Sequence, residues 1–219
     1  MTISTEEPFG PDDERRLNEL GLSSALIHDG LRRGASRANN RTARALPSSR
    51  GTDIYYDGME DFHILLAENG WSMAEVRQQP RLFHPKGVVS FTLSAGKNVG
   101  LRNMRTDRKG PATRESLAEA PFVPSLFPDL DEVLLKERAS HERLSQVPFY
   151  LLLIERIAGE RPGLRIELAQ PVDTNDSGCV VVWGERIKVH FFDLDGDLSA
   201  FDDPDADGGD EFDVPVAPR

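Results

Sequence analysis

Between residues 149 and 192 the chain spaces its apolar, β-branched runs so tightly that no helix fits between them. The runs are 149–157 (FYLLLIERI), 164–168 (LRIEL), and 180–183 continued by 187–192. Gly159-Glu160-Arg161-Pro162-Gly163 separates the first two, and Asn175-Asp176-Ser177-Gly178 precedes the third, both rich in turn-forming residues. A parallel crossover takes a dozen or more residues, usually a helix, so neighbours this close pair antiparallel. Upstream, 82–84 and 88–93 flank Pro85-Lys86-Gly87, a hairpin-like joint. The expected sheet has about five antiparallel strands.

Residues 12–70 read as helices. Asp12, Asp13 and Glu14 follow Pro11 and suit a helix start, with Asp12 placed to cap, Leu17 and Leu20 as the apolar edge and Gly21 as the stop. Ser23 or Ser24 can cap a second helix carrying Leu26, Ile27 and Leu31, which ends in the polar, basic stretch 32–44. A third helix is expected over 53–68, because Tyr55, Met59, Phe62 and Leu66 recur at four, three and four residues. Asn69-Gly70 closes it, and Trp71 folds back onto the core. Shorter helices are expected over 113–120, capped by Thr113, and over 130–145, either side of a Pro-punctuated loop. The fold class is therefore α+β, with N-terminal helices packed on an antiparallel sheet. It divides into a flexible lead-in (1–11), one domain (12–201, helical over 12–70 and mostly sheet over 80–192) and a disordered acidic tail (202–219).

Charge is distributed unevenly. The 219 residues hold 26 Lys and Arg against 37 Asp and Glu, a net charge of -11. Yet residues 32–114 contain 15 basic and 7 acidic side chains, so the rest of the chain has 11 basic against 30 acidic. From Asp193 to Asp213 there are 10 carboxylates and no Lys or Arg, with little apolar surface to bury. Net charge alone is a poor guide to the partners of such a chain.

Several function classes are excluded by composition or by incomplete motifs. A single cysteine, Cys179, rules out a disulfide framework and a Cys-ligated zinc module. No apolar run nears the roughly 20 residues of a membrane span, and the first residues lack a basic region followed by an apolar one, so a cytoplasmic protein without a signal peptide is expected. Residues 189–198 (VHFFDLDGDL) resemble the first motif of haloacid-dehalogenase-like phosphatases through Asp193 and Asp195, but Asp197 stands in place of the Thr, and the residues that follow contain no Lys. Counted as an EF-hand from Asp193, the Gly and Glu positions hold Leu198 and Pro204. Gly96-Lys97-Asn98 fails as a P-loop end because Phe91 and Asn98 occupy the required Gly and Ser/Thr positions. His28, His63, His84, His141 and His190 show no metal spacing, and Cys179 reads as a small buried side chain unless a histidine approaches it. No cofactor or metal is expected.

The segment 82–119 carries the most signal. A strand leads into Gly96, Lys97 and Gly100, then Arg102, Arg105, Arg108 and Lys109, then Gly110-Pro111-Ala112-Thr113-Arg114. Glycines let backbone approach a ligand, basic side chains supply charge, and a helix starting at Thr113 offers free amides to an anion. Lys97, Arg102, Arg105, Arg108, Lys109, Thr113 and Arg114 are therefore the candidate contacts to a phosphate-bearing ligand or nucleic acid.

The order of features is similar to that of a group of uncharacterised actinobacterial proteins. The shared features are the helical part closing in Asn69-Gly70-Trp71, the strand pair over 88–95, Arg108-Lys109-Gly110-Pro111-Ala112-Thr113, the strand Tyr150-Leu151-Leu152-Leu153, LRIELAQP at 164–171, Trp183-Gly184-Glu185-Arg186-Ile187 and Asp213-Val214-Pro215-Val216. The resemblance spans most of residues 15–216 and is most specific at 109–113 and 183–187. It implies a cytoplasmic accessory protein and brings no catalytic residue.

The leading expectation is a non-enzymatic interaction or regulatory module, whose acidic tail docks on a protein partner or folds over the basic loop. An enzyme for a phosphate-bearing or nucleotide substrate is the alternative, with Lys97, Arg102 and Lys109 on the anion and His84 or His63 as proton shuttle. A scaffold in a defence or mobile-element system is the third.

Overall fold

Ser23 caps the second helix through its hydroxyl, which accepts the Leu26 N–H at 3.1 Å, and this leaves Ser24 for another task. The Ser24 hydroxyl donates to Glu14 at 2.6 Å and so ties the first helix to the second. The computed structural model describes residues 9–46, 48–76, 79–107, 143–159 and 161–194. Three helices open it: α1 (Pro11–Glu19), α2 (Ser24–Asn39) and α3 (Ser49–Ala67). Gly10, not Asp12, is the N-cap of α1; Asp13 reaches back to accept the Gly10 N–H at 3.0 Å.

The 32–44 stretch does not leave the helix where its polarity suggests. α2 continues to Asn39 because Gly34, Ala35 and Ala38 keep packing after Leu31. α2 and α3 run side by side at close range. A Cβ on Gly34 would stand 2.8 Å from the Ile54 Cα, and one on Gly30 would meet the Phe62 ring at 2.5 Å. Small residues here are a packing requirement.

Eight strands follow: β1 (Ser72–Val76), β2 (Gln79–Phe83), β3 (Ser90–Lys97), β4 (Arg105–Thr106), β5 (Phe149–Ile157), β6 (Gly163–Thr174), β7 (Val180–Lys188) and β8 (Phe192–Asp193). They form one sheet in the order β1-β2-β3-β5-β6-β7, with β4 on β3 and β8 on β6. The five-strand antiparallel expectation is thus corrected twice. The sheet has eight strands, and β3 pairs with β5 in parallel, from Ser90 opposite Phe149 to Ala95 opposite Ile154. The reason is chain length: over fifty residues separate β3 from β5, ample for a crossover, whereas the tight turns govern only β5, β6 and β7. Those three pair antiparallel, as their spacing requires.

The main core lies between the helices and one face of the sheet. Leu17, Ile27, Leu31, Phe62 and Leu66 meet Phe91, Leu152, Leu164 and Leu168, and Phe62 and Phe91 pack edge to face at 5.6 Å. A second cluster covers the opposite face: Val99 and Met104 on Leu151, Leu153, Ala169 and Val180. Alternation along β5 sends Leu151 and Leu153 to this second face and Leu152 and Ile154 to the first. Among the described residues no helix is long and apolar enough to cross a membrane. The expected helix over 113–120, nearly all of that over 130–145, the lead-in up to residue 8 and the tail lie outside the described residues.

Candidate functional site

β3 ends at Lys97, and the chain then turns back across the second face of the sheet toward β4. Two residues adopt left-handed backbone there, Asn98 (φ 59°) and Gly100 (φ 87°). The turn points three consecutive amides inward, the arrangement that elsewhere cradles phosphate. Here the protein's own carboxylates fill it. Glu155 on β5 accepts the Asn98 N–H at 3.0 Å and the Val99 N–H at 2.8 Å, and Glu167 on β6 accepts the Gly100 N–H at 3.0 Å.

Glu167 is fully buried and is neutralised by Arg186, which also donates to the Leu101 carbonyl at 3.1 Å. The Trp183 indole donates to the Met104 carbonyl at 2.9 Å, and Thr106 Oγ1 accepts the Val180 N–H at 3.0 Å. The loop from Asn98 to Thr106 is therefore pinned to β5, β6 and β7, with Val99 and Met104 as its apolar anchors. The three inward amides of the turn are held by Glu155 and Glu167 and are not open to an outside anion.

Lys97 and Arg102 are exposed, and among the described residues neither has a hydrogen-bond or ion-pair partner. Arg105 is half-buried, its Nη1 4.0 Å from the Cys179 sulfur. Arg108, Lys109, Thr113 and Arg114 lie outside the described residues. His84 is not brought to this loop. It follows β2, packs edge-on against Trp71 at 5.1 Å, and sits at the opposite end of β3 from Lys97, about 25 Å away by strand rise. Burial, and after it the charge of Lys86, hold its pKa below the ordinary histidine value. His63 is exposed on α3 beside Phe62, which packs on Phe91 near that same far end. Neither histidine reaches the basic loop. Cys179 is buried, and among the described residues no histidine bonds it.

The arginines of 32–44 have a structural task. Arg33, Arg37 and Arg41 recur every four residues along α2 and its exit, facing Asp61 with Glu60, then Asp57, then Asp53 on α3. Arg41 grips Asp53 with two bonds of 2.8 and 2.7 Å, which hold the Asp53 pKa below the usual carboxylate range. The ladder pairs three of the fifteen basic residues of 32–114 with acids of the same stretch, so it ties α2 to α3 and leaves the local excess of positive charge in place.

No family profile, curated protein or solved structure matches the chain.

The ladder leaves out Arg44, Arg50 and Arg156. Among the described residues Arg50 donates to main-chain carbonyls alone, those of Ala38 (3.2 Å), Arg41 (2.7 Å) and Thr42 (3.5 Å), and so closes the C-terminal end of α2. Arg156 donates to the Asn39 side chain at 2.9 Å. These residues escape sequence reasoning, since Arg50 and Arg156 are 106 positions apart and only the fold brings both to the end of α2.

Proposed function

We propose that this chain is a cytoplasmic, non-enzymatic interaction module that holds a polyanion, nucleic acid in the first instance, through side chains at the end of β3 and the loop that follows. The observation that carries the reading is that Lys97 and Arg102 stand exposed without acidic partners among the described residues, while Arg16, Arg33, Arg37, Arg41 and Arg186 are each committed to carboxylates. Charge left unneutralised at a surface is what a polyanion exploits, through release of its counterions. Arg105, Arg108, Lys109, Thr113 and Arg114 extend the contact in this reading.

The acidic tail acts as the resident competitor. What supports this is where the described chain ends: β8 pairs with β6 at Gly163 and Leu164, beside the end of β5. The carboxylate-rich segment thus leaves from the same end of the sheet as Lys97, three strand spacings or about 15 Å away. The test is binding of single- and double-stranded DNA and RNA by the full chain and by a chain ending at Phe201, at low and physiological salt. Removal of the tail is expected to tighten binding, with a steep loss of affinity as salt rises. Absence of binding by both forms at low salt ends the reading.

A further inference from the structure

We propose that Arg50, Arg156 and Arg44, with Lys97 at the rim, form a binding site for a compact phosphate-bearing small molecule at the end of the sheet where β3 and β5 stop. The site shares Lys97 with the proposed nucleic-acid surface but none of its loop residues, and its three arginines stand whether or not that loop binds nucleic acid.

The geometry comes from the one parallel pair in the sheet. β3 and β5 run in the same direction and pair as far as Ala95 and Ile154, two residues short of Lys97 and Arg156 at the C-terminal ends of the strands. In Lys97 and Arg156 the alternation of each strand puts both side chains on the helix-bearing face, as with Leu93 and Leu152. The C-terminal ends of parallel strands are where sheets with helices on a face present ligand sites, because chain exits there open a crevice. α2 ends at this place and α3 begins there. Arg156 reaches Asn39 while Arg50 reaches the neighbouring Ala38 carbonyl, so the two guanidiniums bracket the last turn of α2. Arg44 is exposed on the loop whose Arg41 and Thr42 carbonyls Arg50 holds.

No carboxylate answers these charges among the described residues. Asp53, the nearest acid in the sequence of α3, is taken by Arg41, and Glu155 is turned to the amides on the other face. Burial, and after it the charge of Arg50, push the Arg156 pKa down from its ordinary value. Like charges gathered without a counter-ion are a standing cost unless an anion occupies the gap. Arg50 commits Nε and Nη2 to carbonyls, and Arg156 commits Nη2 to Asn39. The N–H groups left on the two guanidiniums, with the Arg44 and Lys97 side chains, suit an anion with several acceptor oxygens, which points to a phosphate or diphosphate group.

The test is titration of the isotope-labelled full chain with inorganic phosphate and inorganic pyrophosphate, following the guanidinium N–H signals of Arg50 and Arg156, with chloride at matched ionic strength as the blank. The same titration is run on a full chain carrying Asp202→Asn, Asp203→Asn, Asp205→Asn and Asp207→Asn, which separates competition by the tail from absence of a site. Saturable shifts in either chain support the site. Arg156→Gln and Arg44→Gln are then each expected to weaken binding about tenfold or more, while Arg15→Gln leaves it unchanged. Because Arg50 also closes α2, its contribution is read from Arg50→Lys, which keeps the charge. Shifts that stay linear in both chains, or Arg156→Gln binding as tightly as the parent, overturn the proposal. An oligonucleotide that shifts these signals while pyrophosphate does not overturns the compact ligand. Loss of nucleic-acid binding with pyrophosphate binding intact removes only the reading of the loop.

Discussion

The buried Glu167 on β6 pairs with the half-buried Arg186 on β7, and Arg186 Nη2 donates to the Glu167 Oε2 at 2.9 Å. The Glu167 side chain is 1% exposed, and the same Oε2 also accepts the Gly100 N–H. A carboxylate with two partners in a dry place is secure, but its removal leaves the Gly100 amide without an acceptor and the half-buried guanidinium without its counter-charge. Glu167→Ala is expected to cost about 3–5 kcal/mol in urea unfolding, far more than loss of an exposed pair such as Arg15–Asp12, which contributes at most about 1 kcal/mol. A loss below about 1 kcal/mol for Glu167→Ala contradicts this assignment.

The α2–α3 contact is limited by backbone at Gly34. An added methyl there meets the Ile54 Cα at 2.8 Å and the Asp53 carbonyl at 2.9 Å, atoms that yield only if a helix shifts. Gly34→Ala is expected to destabilise by about 1–3 kcal/mol despite its better helix propensity. Gly51→Ala, with nothing within 4 Å of the new carbon, is the control, and stabilises through propensity alone. Equal effects at both sites would show that the helices are not in close contact.

The filled amide turn makes its own prediction. Glu155 satisfies the Asn98 and Val99 amides, so Glu155→Ala exposes them and is expected to speed their hydrogen exchange with a loss of about 1–3 kcal/mol. In the parent chain phosphate leaves those amide signals in place, because the carboxylate holds the position an anion needs. Phosphate-dependent shifts at Asn98 and Val99 in the parent would mean that Glu155 is displaced.

What the sequence made legible follows from the range of the interactions. α3 was readable from Met59, Phe62 and Leu66, whose spacing is local, and β5, β6 and β7 from turns only a few residues long. The parallel β3–β5 pair was hidden, because its register depends on a crossover of more than fifty residues. The Arg33, Arg37 and Arg41 repeat was in plain view, as was that of Asp53, Asp57 and Asp61. Each set alone reads as a solvated helix face, and only the antiparallel packing of α2 on α3 turns them into partners. Likewise the Gly96–Gly100 turn carried the look of an anion cradle, and nothing local revealed that Glu155 and Glu167 would arrive from 55 or more residues away to fill it.

Tyr150 and Glu185 offer a titration in both directions. The Tyr150 hydroxyl donates to Glu185 at 2.6 Å, and Arg16 on α1 grips the same carboxylate, so this trio clamps the first helix to β5 and β7. Burial first, and then the bond to Glu185, push the Tyr150 pKa up to about 12. A phenol whose folded pKa lies above the ordinary value of about 10 contributes fully below pH 10 and loses its contribution as pH climbs toward 12. Glu185 works in the opposite sense. Arg16, followed by Tyr150, holds it below the usual glutamate range, so its contribution is complete above about pH 5 and fades as acid protonates it. With three tyrosines in the chain, the phenolate absorbance is expected to keep rising to about pH 12, and Tyr150→Phe removes that late step. The same variant should lose about 1.5–3 kcal/mol at neutral pH and show a flatter decline in stability above pH 10. An unchanged alkaline titration in Tyr150→Phe would place the late phenol elsewhere and leave Glu185 held by Arg16 without the phenol.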